Sequence, residues 1–192
     1  MIPVKSYWLK PVCEEVSLIH TRYGTAQVTT RKMIIVAFLA TLSAIFQSMG
    51  GFLPGVGYLI SPLATPPIVL STVLSVGSGL TAYFLAILLL FFIQPSELIV
   101  FPFTTGLLGL GIGSSLLYLK IRLSAMLVGS FSLWAGILLL LYVFRFPVLG
   151  PAVSSTFNLS TIAIVYVFSL FYSWLWVEIS RYFIQKISKV IT

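Results

Sequence analysis

Few side chains in this chain can do chemistry. It contains no Asp, four acidic residues in all, one His and one Cys. The acids are Glu14, Glu15, Glu97 and Glu178, and His20 and Cys13 lie near the start. This removes Asp-rich diphosphate sites and paired-Asp catalysis. It also leaves no His/Cys cluster for a metal and excludes an internal disulfide. The glycine-rich stretch from Gly106 to Gly113 lies inside an apolar run and lacks the following Lys-Ser/Thr of a phosphate loop. No enzyme, cofactor or metal site is therefore expected, and the chain cannot power itself with ATP.

What remains are scattered polar groups at membrane depth, which are rare and functional by default. Gln47, Glu97, Arg145 and Asn158 fall at the same level once the runs are read as membrane spans. Each has a local alternative. Glu97 suits a helix N-terminus and Arg145 a C-terminus through the helix dipole. Asn158 suits a helix N-cap, and Gln47 can bond a neighbouring helix. Their convergence at one level makes them candidate ligand-binding residues. Tyr58, Trp134, Tyr142 and Tyr166 join them as aromatic walls for a flat, partly apolar ligand, with core packing or lipid contact as the alternative. Glu178 and Arg181, three apart, read as an inner-edge ion pair.

The elements that must position these groups follow from composition. The 192 residues are 59% hydrophobic and 8% charged, with a mean hydropathy of +1.10, whereas globular chains carry about a quarter charged residues. Spans need roughly 20 apolar residues, and runs such as AILLLFFI do not alternate as barrel strands do. The fold class is all-α integral membrane: a six-transmembrane-helix bundle with cytoplasmic N- and C-termini. The spans are placed at about 31–49, 58–76, 79–93, 96–119, 123–144 and 159–185, after a cytoplasmic, interfacial or flexible tail over residues 1–30. Residues 31–192 thus form one membrane domain. The first apolar run starts too far in for a cleavable signal.

Charge supports six spans over five. With six, every Lys and Arg except Arg145 lies on one side, as the positive-inside bias requires. With five, they divide almost evenly. The net charge of +7 therefore reads as topology and anionic-lipid contact, with no nucleic-acid partner. The break between the second and third spans is placed at Gly77-Ser78-Gly79. Pro102 should bend the outer third of the fourth span.

Two features flank the candidate site. Residues 51–67, uncharged and rich in Gly and Pro, read as a lid held at the outer surface. The loop 145–158 has similar character. In the first span Ala37, Ala40 and Ala44 form a small face, suited either to packing in the bundle or to docking another subunit. Gly106, Gly109 and Gly113 form a second such face in the fourth span.

On these residues the chain resembles the substrate-binding S component of energy-coupling-factor (ECF) vitamin transporters. The resemblance covers about residues 30–190 and rests on size, six spans, a basic pair before an Ala-rich first helix (RKMIIVAFLATLSA) and a long first outer loop. It implies that Ala40-Thr-Leu-Ser-Ala44 matches the family's AxxxA motif, which contacts a membrane coupling subunit, with Ala37 one turn earlier. It also implies a vitamin or related micronutrient bound in the outer half under the first loop, and two cytoplasmic ATPases as further partners. The lipid bilayer of a prokaryotic cell membrane would be its location. A structural or assembly protein without ligand and a self-sufficient small transporter are the rival readings. The second lacks an inverted repeat or a charge at the membrane centre.

Overall fold

A computed structural model describes residue 8 and residues 13–21, 30–53, 55–146 and 159–191. The described chain is helical, and six of its helices are long and apolar enough to cross a membrane. A short α1 (Cys13–Ile19) precedes them. The six are α2 (Thr30–Phe52), α3 (Gly57–Leu74), α4 (Val76–Ile93), α5 (Glu97–Tyr118), α6 (Arg122–Val143) and α7 (Leu159–Ile191). The expected bundle of six apolar helices is what the chain forms.

Size sorts the residues. Small side chains fill the interior: Ala40, Ala44, Ala64, Ala82, Ala86 and Ala125 are fully buried. Large apolar ones, among them Phe38, Phe84, Phe92, Phe131 and Phe171, project outward with more than half of their surface exposed. This pattern suits lipid, where close backbone approach and not water exclusion drives helix association. The glycine face of α5 shows it directly. A Cβ at Gly109 would strike Ile68, and one at Gly113 would strike Thr72, so the bare backbone of α5 at these glycines lies directly on α3 side chains.

Each helix ends for a local reason. Between α3 and α4 the chain is extended at Ser75 (φ −167°, ψ 154°), whose hydroxyl accepts the Ser78 N–H at 3.1 Å as an N-cap. The break therefore falls before the Gly77-Ser78-Gly79 run, because the cap and not glycine flexibility starts α4. Residues 57–67, the part of the proposed lid that overlaps the span placed at 58–76, are helical, as that span requires. Pro62, Pro66 and Pro67 lack the N–H that an α-turn needs, and the chain winds through a 3-10 turn at Ser61–Ala64. The buried hydroxyl of Ser43 donates to the Ala64 carbonyl at 2.9 Å. The connection between α2 and α3 is thus a brief turn, tightened by Gly55 at φ +82°. A Cβ at Gly57 would overlap the Met49 carbonyl, so the turn closes hard on the end of α2.

Pro102 breaks α5 as expected. The helix stops at Phe103, Thr104 takes φ −118° and ψ −99°, and the helix resumes at Thr105. Tyr83 of α4 donates its hydroxyl to the Pro102 carbonyl at 3.2 Å, supplying a partner at the break. Gly136 of α6 lies directly on the Phe103 carbonyl, with no room for a Cβ.

At the opposite end, α7 runs for 33 residues, about 50 Å at 1.5 Å per residue against a hydrocarbon thickness of about 30 Å. Its last turns carry a polar cluster. Glu178 meets Arg181 at 3.0 Å and Arg122 of α6 at 3.7 Å. The sequence pair is there, with a third member that spacing alone does not reveal. The stretch read as a tail also includes α1, which packs on this end: Val16 and Ile19 are buried, and His20 Nδ1 lies 2.9 Å from the Leu74 carbonyl.

Candidate functional site

The opposite, Glu97 end of the bundle holds a cavity of about 570 Å³. Its floor is made by buried side chains from three helices: Gln47 of α2, Thr104 and Thr105 of α5, Leu133 and Ile137 of α6. Phe168 and Tyr172 of α7 form one wall, and Ser61 and Pro62 of α3 the other. Gly51, Tyr58 and Ser96, all exposed, and Phe146 form the rim.

A hydrogen-bonded chain crosses the floor. Thr105 Oγ1 donates to Gln47 Oε1 at 2.6 Å, and Gln47 Nε2 donates to Glu97 Oε2 at 2.8 Å. Both bonds agree on one orientation of the amide, so its dipole points from Thr105 to the carboxylate. The break at Pro102 makes this possible. It separates the turn that carries Glu97 from the turn that carries Thr105, so both reach Gln47. Glu97 Oε1 lies against Gly50, where a Cβ would come within 2.8 Å of it. The glycine thus leaves that oxygen room beside the cavity.

The eight ligand-site candidates divide. Gln47, Glu97 and Tyr58 line the cavity. Trp134 does not: its indole N–H donates to the Ile162 carbonyl at 3.3 Å, and its ring meets Tyr166 edge-on at 5.9 Å, so both residues serve the α6–α7 contact. Tyr142 packs against the core away from the lining. Arg145 is exposed and adopts φ +52°, the left-handed end of α6, with the Phe146 N–H returning to the Leu140 carbonyl at 2.8 Å. It aims Phe146 at the rim and takes no place in the lining itself. Asn158, with residues 147–157 of the second outer loop, lies outside the described residues.

Spacing missed Thr104, Thr105, Ser61, Phe146, Phe168 and Tyr172. A signal for the threonines existed: a pair of hydroxyls two and three residues after a proline inside a span marks a break with polar groups at membrane depth.

The docking face expected on α2 is not free. Ala40 and Ala44 are fully buried where α2 packs on α3 and α4, and Ala37 alone of the three is exposed. Ala37 lines a separate groove of about 480 Å³ between α2 and α4, near Lys32 and Ser78.

Fold and site together define a polytopic α-helical membrane protein with a polar-floored cavity at one end. Comparison of the chain with protein-family models, curated proteins and solved structures found no match.

Proposed function

We propose that this protein captures a small organic molecule from the outer side of a cell membrane and serves as the substrate-binding component of an uptake system of the ECF kind. The observation that carries the capture reading is the Thr105–Gln47–Glu97 chain on the floor of the cavity. Binding sites are typically concavities of about 300–1,000 Å³ with mostly apolar walls and a few placed polar groups, and this cavity fits that description. A protein serving only helix packing has no need of a polar-floored cavity. The positive-inside count supports an outward opening.

Lacking a phosphate loop, the chain depends on partners for energy; the ECF resemblance supplies a membrane coupling subunit and two ATPases. Its AxxxA residues are committed to the bundle interior, so a coupling subunit would meet the exposed side of α2 that bears Ala37. Isolation in nanodiscs from the native membrane tests this assignment. Co-isolation of a membrane subunit with two ATPases is expected. A chain that binds ligand but comes away alone contradicts the ECF assignment and leaves capture standing.

A further inference from the structure

Resting on the capture reading, we infer that the ligand of the Glu97 cavity is a small organic cation with N–H donors, an ammonium or amidinium group on an apolar body. Among the described residues Glu97 is the one charged side chain in the lining; no Lys, Arg or His joins it. Among the described residues its carboxylate has no salt-bridge partner, in contrast to Glu178, which holds two guanidinium groups. The cavity therefore presents an acceptor with net negative character and nothing of opposite sign.

The hydrogen-bond directions sharpen this. Gln47 gives one amide N–H to Oε2 and accepts from Thr105, so the relay ends on the carboxylate. Oε1 sits beside the cavity next to Gly50, whose missing side chain keeps it uncrowded. A donor on the ligand completes that oxygen; an acceptor or anion faces repulsion. Charge-assisted bonds of this kind are about twice as strong as neutral ones. Phe168 and Tyr172 on the wall and Tyr58 and Phe146 at the rim supply the aromatic lining. Aromatic faces attract a cation and tolerate its apolar body.

Size and sign then select together. The cavity of about 570 Å³ admits a compact ring or short chain bearing the charged group. Inorganic cations would keep their hydration shell and gain little from aromatic walls.

The test uses the full chain in nanodiscs, stripped of any retained molecule, with three isosteric probes: benzylammonium, benzyl alcohol and benzoate. Binding is read by titration calorimetry. Benzylammonium is expected to bind wild type at least about tenfold more tightly than benzyl alcohol, to lose that advantage in Glu97→Gln, and benzoate is expected not to bind. Equal binding of the alcohol or benzoate, or an ammonium advantage that persists in Glu97→Gln, overturns the inference. Val100→Trp, which fills the cavity from α5, separates the two levels of failure. Neutral or anionic probes that bind wild type and not Val100→Trp leave capture intact and remove the charge assignment. No binding of any probe to wild type removes both.

Discussion

Gln47 and Glu97, fifty positions apart in the chain, are joined by a 2.8 Å hydrogen bond from Nε2 to Oε2. The bond ties α2 to the first turn of α5 across the cavity floor, and Thr105 holds the other side of the same amide. Removing the amide leaves a buried hydroxyl and a half-buried carboxylate each short of a partner. Gln47→Leu is therefore expected to lower unfolding stability by about 1–2 kcal/mol, the upper range for such bonds between membrane helices. Glu97→Gln retains an acceptor for Gln47 and should cost less. Thermal unfolding of both variants in the same detergent checks the order; equal losses would show that the amide is not shared as described.

Close backbone approach at the Pro102 break is a second expectation. Gly136 faces the Phe103 carbonyl, so Gly136→Ala forces α6 away from the break and shifts Thr104 and Ile137 at the floor. Overpacking of this kind costs typically about 1–3 kcal/mol. Gly77→Ala, in open space on α4, should instead be neutral or stabilising by up to about 1 kcal/mol through helix propensity. Parallel melting curves that fail to separate the two glycines would contradict the packing at the break.

The level at which the site lies was legible in the sequence, because charge bias orients the helices and Gln47 and Glu97 fall at one end of them. Helix rotation was not. Trp134, Tyr142 and Tyr166 have the right chemistry and depth, yet rotation about α6 and α7 points them elsewhere, and an aromatic residue suits lipid, core or pocket equally. The stretch read as a lid does meet the cavity, through Gly51, Tyr58, Ser61 and Pro62, but from Gly57 on it is helix and not loop. Pro66 and Pro67 sit in the first turn of the α-helix that starts at Thr65, where a missing N–H costs little, and Pro62 is taken up by the 3-10 turn at Ser61–Ala64, whose Ala64 carbonyl accepts from Ser43. The alanine face was visible as a small face, while what covers it depends on which helices surround α2.

Arg145 separates conformation from charge. Its φ of +52° costs a β-branched residue most and glycine nothing. Arg145→Val is expected to destabilise the end of α6 by about 1–2 kcal/mol and to weaken ligand binding by displacing Phe146. Arg145→Gly should do neither. Loss of binding in the glycine variant, with unfolding unchanged, would mean that the guanidinium itself contacts ligand.

Buried and exposed alanines of α2 should also part company. Ala44→Leu adds volume to a filled interior and is expected to cost about 1–3 kcal/mol. Ala37→Leu lies on an exposed face and should leave folding and ligand binding unchanged while reducing recovery of a coupling subunit. Quantitative co-isolation alongside melting temperature distinguishes the two. A destabilised Ala37→Leu, or one that recovers its partner fully, would contradict this use of the face.

The central claim is that the cavity floored by Gln47, Thr105 and Glu97 holds a small molecule. Native mass spectrometry of the gently purified protein tests it most directly, with Val100→Trp measured beside wild type. The expected result is a discrete bound mass on wild type that is absent from a folded Val100→Trp. A wild-type spectrum showing bare chain and lipid alone, or a bound mass that persists in Val100→Trp, would contradict it.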